Sequence, residues 1–94
     1  MKKPEISFRH FSGSGPLSIY WYPGPYGIAI EATKGRGVGW FSPSGELLGI
    51  ELDDVCVKED SQTIEFRSGN AVSVRVKGGK VIVHRHRSKH TKAA

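Results

Sequence analysis

The feature that most restricts this chain is a two-residue alternation of apolar and polar side chains, recurring between breaks rich in glycine and proline. Successive side chains on a strand point to opposite faces, so this alternation marks strands with one buried face. It is clearest in the last third. Ile64 and Phe66 alternate with Glu65 and Arg67, Ser68-Gly69-Asn70 turns the chain, and Val72, Val74 and Val76 alternate with Ser73, Arg75 and Lys77. Gly78-Gly79 follows, and a glycine pair between two such runs suits a primed hairpin turn, whose residues need positive φ. In the register that turn sets, Lys77 faces Lys80, Val76 faces Val81 and Val74 faces Val83. One face of this meander is then aliphatic, and the other carries Ser73, Arg75, Lys77, Ile82, His84 and His86.

Further strands are read at 5–11, 17–22, 27–33, 38–41 and 47–52, separated by turn-forming breaks at 12–16, 23–25, 34–37 and 42–45. No window carries a helical stripe, and the acidic stretch 52–60 reads as a turn. The expected fold is all-β: a single small domain of about seven or eight short antiparallel strands, built as a curved sheet, a sandwich or a small barrel and ending in a β-meander. The domain is placed at 1–86, with a flexible, disordered basic tail at 87–94. A chain of 94 residues holds one core, because folding at this size buries only about 60–65% of the unfolded surface. That excludes a two-domain enzyme, and also the parallel scaffolds that need many helical crossovers.

The formal charge of +5 is unevenly distributed. Between 46 and 65, Glu46, Glu51, Asp53, Asp54, Glu59, Asp60 and Glu65 stand against Lys58 alone, whereas 84–94 holds Arg85, Arg87, Lys89 and Lys92 and no acid. The longest apolar run, Leu47-Leu48-Gly49-Ile50, is far short of the roughly 20 residues of a membrane helix, so no membrane partner is expected. The opening Met1-Lys2-Lys3-Pro4-Glu5 leads into no apolar signal region. A lone Cys56 has no internal disulfide partner, and the expected compartment is the cytoplasm.

Two stretches carry a resemblance. Trp21-Tyr22-Pro23-Gly24-Pro25-Tyr26-Gly27-Ile28-Ala29-Ile30 is similar to a Tyr-Asp-Pro pattern running into Leu-Tyr-Ile. Ser42-Pro43-Ser44-Gly45-Glu46-Leu47-Leu48-Gly49-Ile50-Glu51-Leu52-Asp53 is similar to an Asp-Gly turn running into Gly-Ile-Glu-Ile-Leu. Both patterns belong to the small bacterial family catalogued as domain of unknown function 2283, which the chain resembles over residues 20 to 55. The resemblance implies a small β-rich fold and no activity. Tyr22 and Tyr26 stand where that family has acids.

Candidate chemistry is sparse. His84 and His86 project from one face of a strand, with His10 and His90 further off, but zinc takes three or four ligands. A His-Arg-His-Arg run is ordinarily a solvated edge, so no metal is assigned and His84 and His86 stand as the only candidate ligands. Val55 and Val57 bracket Cys56 as they would a buried thiol. Asp53 and Asp54 point to opposite faces, end a strand and make no carboxylate dyad. Gly35, Gly37 and Gly39 lack the helix that gives a phosphate loop its meaning and read as turn and packing glycines. No catalytic residue and no cofactor follow.

Aromatics and cations remain. Tyr20 and Tyr22 share a strand face, and Trp40 follows the basic loop around Lys34 and Arg36, so Tyr20, Tyr22 and Trp40 are candidate base-stacking residues. The sequence therefore reads as a non-enzymatic binding module contacting nucleic acid or another polyanion through Arg75, Lys77, Arg85, Arg87, Lys89 and Lys92. The alternative is a protein-interaction or assembly domain, or a small regulator or inhibitor. It would engage a protein partner or a second copy through its acidic central segment or an exposed β edge.

Overall fold

The structure, a computed structural model, describes residues 4–10, 12–22 and 27–87. Among them are eight strands and no helix: β1 (Glu5–Phe8), β2 (Ser14–Tyr20), β3 (Ile28–Glu31), β4 (Gly37–Phe41), β5 (Leu47–Cys56), β6 (Glu59–Glu65), β7 (Asn70–Lys77) and β8 (Lys80–Arg87). All pairings are antiparallel. Five strands form one sheet in the order β1-β2-β5-β4-β3, and β6-β7-β8 form a second. The architecture is an open two-sheet sandwich, not a closed barrel, and it ends in the expected meander.

The core lies between the sheets. Leu17, Ile19, Leu47, Ile50, Leu52 and Val55 come from β2 and β5, and they meet Ile64, Phe66, Val72, Val74 and Val76. Burying each such side chain contributes about 1.5–3 kcal/mol. The Phe66 ring meets Phe41 edge-on at 5.2 Å between centroids. It also sits over Gly39, where a Cβ would come within 2.6 Å of the ring, so the missing side chain is what seats it. The β7–β8 register matches the sequence expectation: Lys77 faces Lys80, Val76 faces Val81 and Val74 faces Val83. Gly78 and Gly79 hold φ of +59° and +81°, as a primed turn requires.

β5 departs from simple alternation twice. Trp40 pairs with Gly49 and the next residue, Phe41, pairs with Leu47, which leaves Leu48 as an extra residue. Leu17 pairs with Leu52 and Gly15 with Val55, so Asp53 and Asp54 together oppose Pro16. Each is a β-bulge that resets which face the following side chains take. Leu47, Ile50, Leu52 and Val55 consequently all reach the core, although two of their three spacings are three and not two.

Three expectations from the sequence are corrected by this geometry. Asp53 and Asp54 do not end the strand; both are exposed on the bulge, and β5 runs on to Cys56. Cys56 is exposed, because the reset sends Val55 inward and the thiol outward. The acidic stretch is mostly strand, and the turn between β5 and β6 is only Val57-Lys58.

That corner joins the two sheets. Val57 N donates to Gly13 O at 2.8 Å, on the five-stranded side, while Gly78 N donates to Lys58 O at 2.7 Å and Gly79 N to Val57 O at 2.9 Å on the other. Asp60 closes the turn. Its carboxylate accepts from Cys56 N at 2.8 Å, Ser61 N at 2.7 Å and the Gln62 amide at 3.1 Å. The Cys56 bond is the largest of the effects that hold the Asp60 carboxyl below its usual 3.8; burial opposes it, and the Gln62 and Ser61 bonds add to it. A carboxylate favoured in the folded state stabilises above the unfolded value and loses that contribution as pH falls through the folded one. Asp60→Asn is therefore expected to lower stability at neutral pH by about 1 kcal/mol, with the gap to the parent protein closing as pH drops below 3.8. Urea unfolding of both proteins at several pH values measures this; a gap unchanged by acid would contradict it.

Candidate polyanion-binding face

Alternation along β6, β7 and β8 sorts the second sheet into an inner face and an outer one. Across the outer face the rows are Glu59–Lys77–Lys80, Ser61–Arg75–Ile82, Thr63–Ser73–His84 and Glu65–Ala71–His86. Arg75, Lys77 and Lys80 are exposed, and among the described residues none of the three forms an ion pair. A groove of ≈ 380 Å³ runs beside them, lined by Glu59, Asp60, Ser61, Arg75, Val76 and Lys77. Further along, Thr63 Oγ1 and Ser73 Oγ share a hydrogen bond at 3.0 Å, and Ser73 Oγ lies 3.0 Å from His86 Nε2. The His84 and His86 rings stack with centroids 5.6 Å apart. Hydroxyls and imidazoles thus continue the line that the three cations begin. The contribution of Lys80 and its neighbours to this face follows from the glycine-pair register, whereas Thr63 has no sequence signal beyond its place in an alternating run.

Arg85 and Arg87 do not belong to this face. They pair with Val72 and Asn70, which places them with the apolar residues of the inner side. The Arg85 guanidinium lies 4.4 Å above the Trp21 ring centroid, and its Nη2 donates to Leu47 O at 3.3 Å. Arg87 Nη2 donates to Ser68 O at 3.3 Å, and Arg87 is the last residue of β8 and not the start of a tail. Lys89 and Lys92 lie outside the described residues, as does His90.

The stacking candidates are likewise divided. Tyr20 and Trp40 both pair with Gly49, one from each side, on the outer face of the five-stranded sheet. A Cβ on Gly49 would come within 2.3 Å of the Tyr20 ring, so that ring leans into the space glycine leaves. Beside it runs a second groove of ≈ 370 Å³ lined by Ser7, Arg9, Pro16, Ser18, Tyr20 and Glu51. Tyr22 sits past the end of β2 and donates its hydroxyl to Glu46 at 2.9 Å. That bond, followed by the Glu46 charge, raises the phenol above its usual value, while the Arg85 charge works the other way. Phe41, beside Trp40 in sequence, is buried in the core. The core separates the Tyr20 and Trp40 pair from Arg75, Lys77 and Lys80, so these aromatics cannot extend the basic face.

Among the described residues no group of three or more His, Cys, Asp or Glu is arranged to hold a metal ion. His10 lies edge-on to Phe8 at 5.4 Å, at the start of the chain's other sheet. Among the described residues no helix is long and apolar enough to cross a membrane. No protein-family model, curated protein or solved structure matches this chain.

The Arg85 contacts can be tested separately from ligand binding. Arg85→Ala is expected to lower unfolding free energy by about 1–2 kcal/mol through loss of the cation–π and carbonyl contacts. It should leave the salt dependence of any polyanion binding unchanged. Denaturant unfolding and a salt-titrated binding assay on the same variant read the two effects independently.

Proposed function

We propose that this domain is a non-enzymatic binding module whose ligand is a polyanion, with nucleic acid the first candidate, taken on the outer face of the β6-β7-β8 sheet. The observation that carries this reading is the exposed trio Arg75, Lys77 and Lys80, clear of ion pairs among the described residues, on a face continued by Ser73, His84 and His86. β8 rises about 3.3 Å per residue, so the cations at its turn lie near one end of the sheet. Lys89 and Lys92 follow the other end in sequence. A phosphate backbone laid along β8 would meet the turn cations first, then the hydroxyls and imidazoles, then whatever charge follows Arg87. Arg85 and Arg87 act in this reading as anchors of the strand and not as ligand contacts. The module works in the cytoplasm and transforms no substrate. Kinship with the domain of unknown function 2283 is proposed only on the two stretches quoted above and adds no activity.

The alternative reading, a protein-interaction domain, is favoured by one observation, the exposed apolar edge at Ile28 and Ile30. It is compatible with the first, because β3 and the Arg75 strand β7 belong to different sheets.

Binding to single-stranded DNA and RNA at two or more salt concentrations tests the polyanion reading. Each phosphate contact contributes about 0.7 to the slope of log affinity against log salt for a single strand. Replacing Arg75, Lys77 and Lys80 by alanine together should therefore flatten the slope by about two units and weaken binding uniformly across sequences. A chain ending at Arg87 isolates Lys89 and Lys92 without cutting β8. Failure to bind either nucleic acid at low salt removes nucleic acid as the ligand.

A further inference from the structure

Over Ile28–Glu31, β3 is an edge of the five-stranded sheet, bonded to β4 on one side only; just past it Thr33 N donates to Glu65 O at 2.8 Å, so the end of β6 closes the edge from there and the open stretch is the strand itself. Ile28 and Ile30 oppose Phe41 and Gly39, which puts them on the core-facing side of the sheet. Yet Ile28 is 61% and Ile30 41% exposed, because the narrower three-stranded sheet does not reach over them. Apolar side chains on an open edge strand are a liability for a monomer, and charge, proline or a covering segment usually masks them. In β3 only Glu31 is charged.

We propose that β3 pairs with β3 of a second copy of this chain, antiparallel about a two-fold axis normal to the sheet. Directly opposed residues share a face, so such symmetry permits only registers in which residue numbers sum to an even value. One of them suits this sequence best. With Ala29 opposite the partner's Ala29, each Ile28 faces an Ile30 of the other copy, and each Glu31 faces a Gly27.

The backbone direction is compatible with this register. Ala32 N donates toward β4, to Gly37 O at 2.9 Å. Groups alternate in direction along a strand, so Ala29 and Glu31 turn their N–H and C=O outward. The proposed pairing joins the outward groups of Ala29 to those of the partner's Ala29. The two Glu31 carboxylates end up about 13 Å apart along the strands, beyond the Debye length of about 8 Å at physiological salt. The contact is small, four isoleucine side chains and a short ladder, and interfaces of small area are the weak and transient ones. The dimer is accordingly concentration-dependent.

A two-fold axis normal to the sheet keeps both three-stranded sheets on the same side of the joined ten-stranded sheet. Both sets of Arg75, Lys77 and Lys80 then face one way, and a single long polyanion can engage two modules. This last consequence rests on the polyanion reading; the dimer itself does not.

The test is the mass of the full chain in solution, without nucleic acid, by sedimentation or light scattering at rising concentration up to millimolar. The parent protein should shift from monomer toward twice that mass. Ile28→Lys combined with Ile30→Lys changes only exposed side chains and should hold the monomer mass throughout. Ala29→Pro removes an outward N–H that β4 does not use, so it should also abolish the shift, with far-ultraviolet circular dichroism unchanged. A parent protein that stays monomeric at millimolar concentration overturns the proposal, and so does an Ala29→Pro variant that is folded and still dimerises.

Discussion

β5 carries two obligations that a straight strand could not meet together. It is the middle strand of the larger sheet, bonded to β2 and β4 along its length, and its end must turn through Val57-Lys58 to begin the other sheet. The extra residue Leu48 and the pair Asp53-Asp54 resolve this, since each bulge bends the strand and increases its twist. Gly13 and the Gly78-Gly79 turn then fix the corner through backbone bonds from two separate parts of the chain. Which β5 side chains reach the core, and the outward position of Cys56, follow from where those bulges fall.

The local pattern made part of this legible. A glycine pair between valine alternations specified the β7–β8 register and hence the outer-face set of Arg75, Lys77, His84 and His86. The same rule misread β5, because a bulge breaks the parity on which the rule depends; the acids at 53 and 54 looked like a strand end when they were the bulge itself. Arg85 shows a different limit. Its alternation put it on the aliphatic face, but its partner Trp21 lies just past the end of β2, far away in sequence, and nothing local announces the contact. The separation of Tyr20 and Trp40 from the cations depends on strand order, which periodicity does not report.

The sandwich has two outer faces of different character. One presents Arg75, Lys77 and Lys80 with hydroxyls and imidazoles, and the other presents Tyr20 and Trp40 around Gly49 with Glu51 and Arg9 nearby. Asp53 and Asp54 sit at the bulge, and Asp60 is tied into the corner. The cations of the β6-β7-β8 outer face and the aromatic pair Tyr20 and Trp40 therefore act from opposite sides of the molecule.

The strand order also sets how the two sheets can assemble. Every pairing in the β6-β7-β8 meander joins neighbours along the chain, so each hairpin closes a short loop. β2 instead waits for β5, and Ser14 must find Cys56 across β3, β4 and their turns. Loop-closure entropy grows only slowly with length, but contacts of long sequence separation form late and slowly. The meander can therefore serve as a template: its aliphatic face is available before the larger sheet has a middle strand, and β5 is threaded between β2 and β4 with one end already anchored at β6.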